Sequence, residues 1–173
     1  MASKKSFANL IFLLIWAIDY RLYLIPDELN IGLAILGFFK IISDSFYNQF
    51  SGFQGSFLGS YADLFGFREN IWINHFSAAA AGILIVGLII FLTKGRGMGF
   101  GDLKLMGALG LLFGWPDILF ITSFAFIIGS CAGIGMIVRG RRTLKSSLPF
   151  GPFLAIASML YLFCGHVIID RYF

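Results

Sequence analysis

With 58% hydrophobic and 13% charged residues, this chain of 173 residues lacks the polar groups to cover a water-soluble surface, since ordinary globular chains carry roughly 25% charged residues. Its length fits a single domain, taken as residues 1–173. The net charge of +4 does not mark a nucleic-acid binder, because the cations sit in short gaps between apolar runs rather than on a polar face.

A helix needs about 20 apolar residues to cross a bilayer. In chain order the apolar runs are 7–25, 31–45, 75–93, 104–115 with a few further residues, 117–138 and 148–168. The expected fold is therefore all-α: a polytopic integral membrane protein of about six transmembrane helices, with its outer surface against the lipid bilayer. Lys4 and Lys5 ahead of the run Phe7–Ile18 resemble a signal peptide, but no small-residue cleavage site follows and removal would take the Asp19 region with it. Between the second and third runs, Phe46, Phe50, Phe53, Phe57, Tyr61, Leu64 and Phe65 recur every three or four residues. That spacing reads either as an amphipathic helix at the interface or, given Gly52, Gly55 and Gly59, as a loose aromatic loop. Cys131 and Cys164 lie inside apolar runs without a CxxC pair, so they read as buried thiols and no metal site is expected. His75 and His166 each stand alone and read as satisfied or interfacial histidines.

The gaps also orient the chain. Arg21, the group Lys94, Arg96 and Lys104, and the group Arg139, Arg141, Arg142 and Lys145 fall on one side by alternate crossings. The positive-inside rule makes that side cytoplasmic and the N-terminus external, with Lys4, Lys5, Arg68 and Arg171 as the minority vote.

Carboxylates at membrane depth are costly and mark function by default. Asp44, Asp63, Glu69, Asp117 and Asp170 fall in or beside external gaps and read as solvated charges. Asp27 and Glu28 follow Pro26 and fit the first turn of a helix, where the macrodipole favours acids. Asp19 and Asp102 differ. Each lies among apolar residues at the cytoplasmic end of its own run, so the two can meet at one depth. Two carboxylates sharing a site hold one proton between them. The ionised one can take a proton from water while the other donates to a scissile carbonyl, the arrangement of aspartic proteases, which needs neither metal nor cofactor. Gly97, Gly99 and Gly101 alternate ahead of Asp102 and leave one side of that backbone bare, so a substrate strand can approach; glycine packing between helices is the plainer reading. Lys104, two positions on, either tunes Asp102 or snorkels to headgroups. Pro149 and Pro152 either open a groove or kink a helix end.

Gly99-Phe100-Gly101-Asp102 reads as a GxGD motif, followed by Leu103-Lys104-Leu105, and Asp19 stands seven residues before Pro26 in an Asp-x-Arg-x-x-x-Ile-Pro-Asp arrangement. Leu148-Pro149-Phe150-Gly151-Pro152-Phe153 is similar to a proline-rich opening of a last helix. Together these stretches resemble the type IV prepilin leader peptidases over essentially the whole chain. The resemblance implies a GxGD-type aspartyl peptidase with Asp19 and Asp102 as the catalytic pair and no cofactor. It implies prepilin or type II secretion pseudopilin precursors as partners, cut at the cytoplasmic face of a prokaryotic inner membrane between a short basic leader and a hydrophobic helix. Many bacterial members also carry an N-terminal region with paired CxxC motifs and N-methylate the new end; without such a pair, methyl transfer is not expected here. The short form also resembles archaeal preflagellin peptidases and peptidases of tight-adherence pili. Two other classes compete. A small transporter or channel component would place its acids near the midplane and show a repeat. A non-catalytic pilus or secretion assembly protein would leave the aspartate pair unexplained. Oligomeric state is not legible.

Overall fold

A computed structural model describes residues 2–22, 24–46, 70–95, 98–138 and 149–172. These residues form six helices: α1 (Ala2–Leu22), α2 (Asp27–Phe46), α3 (Ile71–Leu92), α4 (Phe100–Phe113), α5 (Asp117–Val138) and α6 (Gly151–Tyr172). Three segments, Asp27–Phe46, Ile71–Leu92 and Asp117–Met136, are long and apolar enough to cross a membrane by themselves. The polarity pattern is inverted relative to a soluble bundle. Leu84, Phe91, Leu92, Ile127 and Ile134 are exposed, while Asp19, Asn74, His75, Asp102, Asp117 and Ser158 are buried. Apolar surface outside with polar groups inside is the surface of a polytopic membrane protein.

The helix boundaries follow local chemistry. Pro26 starts α2, its carbonyl accepting from the Leu29 and Asn30 amides, with Asp27 and Glu28 in the first turn as expected. Asn70 caps α3 by accepting from the Trp72 and Ile73 amides. Gly114 ends α4 in the left-handed region, at φ 84°, and donates to Gly110 O.

α4 is the central helix, packed mainly on α3 and α2, while α1 lies on α6 and α6 on α5. The tightest approaches use glycine. A Cβ at Gly110 would run into the main chain of Ala78 and Ala79, and one at Gly37 would lie 2.8 Å from the Leu111 carbonyl carbon. α4 has 14 residues, or about 21 Å of helix against a hydrocarbon core of about 30 Å. Its last carbonyls therefore end inside the protein, and neighbouring helices supply their partners. His75 Nδ1 donates to Leu111 O at 2.8 Å and Lys40 Nζ to Leu112 O at 3.1 Å. The Asn74 amide pairs with both main-chain groups of Trp115, at 2.8 and 3.0 Å.

Two expectations fail here. Asp117 is buried in the first turn of α5, not solvated, because a carboxylate there is favoured by the helix dipole. Cys131 is exposed on the outer face of α5 rather than buried, since a helix facing lipid can present a small apolar side chain outward. The aromatic stripe beyond Phe46, the loop cations Arg96, Arg139, Arg141, Arg142 and Lys145, the Gly97 position, and the side chains of Lys4, Lys5, Cys164, His166, Asp170 and Arg171 lie outside the described residues.

Candidate active site

The alternation of helices brings four chain segments to one end: the end of α1, the Leu24–Pro26 connection, the start of α4 and the start of α6. Asp19 sits in the last turn of α1 and Asp102 in the first turn of α4. Both are buried, at 4% and 7% exposure, and their carboxylates stand within Coulombic reach of each other. The pair expected from the sequence is thus brought together in space. Among the described residues, α1 and α4 make no close main-chain contact near it. At this end the first residue of α6, Gly151, packs against Asp19, and a Cβ there would collide with Asp19 Oδ2.

The GxGD stretch has a local logic. Gly99 is the N-cap of α4 in an extended conformation, and its N–H donates to Asp102 Oδ2 at 3.1 Å. Asp102 closes one half of a capping box, which fixes its rotamer at the helix start; Gly99 has no side chain to close the other half. Space around Gly99 is ordinary, with the nearest atoms to a Cβ at 3.8 and 3.9 Å. The bare side of Gly101 is not vacant: Ile25 lies 3.4 Å from where its Cβ would be. Ile25 is buried and also touches the Cβ position of Gly151. It fills the wedge between the starts of α4 and α6.

Lys104 does not reach Asp102. Its ammonium bonds both oxygens of Asp27 at 2.7 and 2.8 Å, an exposed pair joining α4 to α2. Pro149 and Pro152 flank the start of α6, Pro152 buried within its first turn. Sequence reasoning passed over Gly151 and Ile25. Both lie in motif stretches it quoted, but only the fold shows that they touch Asp19 and Gly101. Among the described residues no group of three or more His, Cys, Asp or Glu side chains stands close enough to hold a metal ion.

A helical membrane protein with two buried aspartates from different helices, beside a glycine-flanked helix start, belongs to the class of polytopic membrane proteins with a buried acid pair at one end of the helix bundle. Residues 7–134 match the type IV leader peptidase family, and the chain belongs to that family. It is 30% identical over 153 residues to a prepilin leader peptidase/N-methyltransferase of Burkholderia pseudomallei, a match covering 86% of this chain and 42% of the relative. Proteins of the same description from Aeromonas hydrophila and Bacillus subtilis are 36% identical over 98 residues and 34% over 101. Those two matches cover 54% and 58% of this chain, and 34% and 40% of the relatives. The chain spans less than half the length of these relatives. No solved structure matches it.

Proposed function

We propose that the chain is an aspartic endopeptidase that removes the leader from prepilin-like precursors at the cytoplasmic face of a prokaryotic inner membrane. The observation that carries this reading is the meeting of Asp19 and Asp102, both buried, at the end of the bundle where backbone is flanked by glycine. One carboxylate, ionised, takes a proton from water as the water oxygen attacks the scissile carbonyl carbon. The other, protonated, donates to the carbonyl oxygen. Collapse of the tetrahedral intermediate returns the proton to the leaving amine, breaks the C–N bond and restores one proton to the pair. The prepilin substrate is carried over from the relatives' names. Only the peptidase half of those names is proposed, because the aspartates support it alone.

The orientation rests on charge. Among the described residues Arg21, Lys94 and Lys104 are exposed at the site end, while Lys40 at the far end turns inward to Leu112 O. The retention of cations on the cytoplasmic side supports that orientation. Cleavage of a prepilin-like peptide by purified protein tests the reading. Asp19→Asn and Asp102→Asn should each abolish cleavage, and the double variant should be no worse than either single one, because groups acting together are not additive. Asp27→Asn and Lys104→Met break only an exposed pair, whose worth is about 0–1 kcal/mol, and should keep most activity. Robust cleavage by folded Asp102→Asn would sink the mechanism.

A further inference from the structure

The starts of α4 and α6 face each other with glycine on both walls, Gly101 in the first turn of α4 and Gly151 as the first residue of α6. Ile25 lies across the gap. Its Cβ is 3.4 Å from where a Gly101 Cβ would be, and its Cδ1 is 2.9 Å from where a Gly151 Cβ would be. The same two glycines adjoin the acids. Gly101 directly precedes Asp102, and a Cβ at Gly151 would collide with Asp19 Oδ2. Ile25 therefore shares one glycine with each acid, and it comes from a third segment, the Leu24–Pro26 connection between α1 and α2. Leu24 beside it is exposed, whereas Ile25 is buried to about the depth of the acids, 7% against 4% for Asp19 and 7% for Asp102. An opening that brings a scissile carbonyl to those carboxylates uncovers Ile25 with them. The side chain has little freedom to step aside. A residue before proline is restricted to extended backbone, and the Pro26 carbonyl is bonded into α2 by the Leu29 and Asn30 amides. A β-branched side chain is also stiff about its first torsion.

We propose that Ile25 is a specificity-determining residue: it is the wall that the side chain flanking the scissile bond must fit against, and its bulk limits that side chain to a small one. This rests on the reading of Asp19 and Asp102 as the catalytic pair. Two glycine walls leave the width of the gap to whatever lies between them, and here that is one stiff, branched side chain. Packing alone would also bury an isoleucine, but trimming it would then lower stability and rate alike for every substrate. A size limit changes the ratio between substrates, which is how discrimination by an enzyme is measured.

The test sets two prepilin-like peptides in competition for the purified full chain in detergent. They differ in the residue on one side of the cut, glycine in one and valine in the other, and a second pair carries the same exchange on the other side. Competition reads the ratio of the two kcat/KM values, so the folded fraction of a variant does not enter. Wild-type protein should favour the glycine peptide by about tenfold or more in at least one pair, within the range for excess bulk in an apolar pocket. Ile25→Ala should shift that ratio towards valine by about fivefold or more, and Ile25→Val, one carbon smaller than wild type, by about twofold. If Ile25→Ala does not fold, the shift in Ile25→Val decides. Equal ratios in wild type and in the folded variants overturn the proposal, as does wild-type protein that cleaves both members of each pair equally. Asp19→Asn and Asp102→Asn run alongside. If wild-type protein cleaves no peptide, or either Asn variant remains active, the catalytic-pair reading fails and this one with it. If wild type cleaves, both Asn variants are inactive and the ratios stay unchanged, only the role of Ile25 fails.

Discussion

Gly99 and Gly101 share a motif but not an environment. A methyl on Gly99 meets nothing closer than 3.8 Å, whereas Gly101 faces Ile25 at 3.4 Å. Gly99→Ala should therefore keep cleavage within about threefold of wild type, the range of a substitution that creates no clash. Gly101→Val drives branched carbons into Ile25 and should cost about tenfold or more in rate, about 1.4 kcal/mol. If the cause is the Ile25 wedge, adding Ile25→Ala to Gly101→Val restores part of the rate. If the bare face of Gly101 is instead where the substrate strand runs, the double variant stays as slow as the single one. Cleavage rates of the two variants and the combination, with unfolding measured in parallel, decide between wedge and strand.

At the scale of elements, α4 depends on its neighbours at both ends. Its start is capped internally by Asp102, and its end is completed by side chains from α2 and α3. Asn74 matters most there, because one amide satisfies both the N–H and the C=O of Trp115. Asn74→Ala removes both bonds to Trp115 and should destabilise the protein by about 1–3 kcal/mol, read from unfolding in mixed detergent micelles. Gly114→Ala belongs to the same joint. It puts a side chain at φ 84° and within 2.5 Å of Asn74 Oδ1, and should be destabilising too. Neither residue touches the aspartates, so the fraction that remains folded should cleave at a near-normal rate. A stable Asn74→Ala protein would show that the α4 terminus finds other partners.

The whole molecule places every site segment at one end and the polar α4 joint at the other. The proposed orientation then predicts which face each end meets. In a background without Cys131 and Cys164, Lys94→Cys should react with a membrane-impermeant thiol reagent only from the cytoplasmic side. Phe46→Cys, at the far end of α2, should react only from outside. The reversed pattern would put the aspartates on the wrong side for a leader that stays in the cytoplasm, and would overturn the proposed substrate along with the topology.

The membrane class, the positions of five of the helix cores and the placing of Asp19 and Asp102 at one end of the bundle were legible in the sequence. Hydropathy runs and isolated charges are local signals, and the cost of an unpaired polar group in lipid makes them hard to misread. Cys131 faces outward because the partner helix, not the run it sits in, decides whether a residue on an apolar helix meets lipid or neighbour, whereas Asp117 is held at the start of α5 rather than solvated in the gap it borders. The short α4 was legible only as a weak span, because what completes it is supplied by Lys40, Asn74 and His75 from elsewhere in the chain. The same holds at the site. The sequence by itself determined that Asp19 and Asp102 lie at the same end. Only the tertiary structure decided that Ile25 fills the side of Gly101, that Lys104 answers Asp27, and that Gly151 of α6 packs against Asp19. Those are contacts across 70 or more residues of chain for Lys104 with Asp27, and no local pattern encodes them.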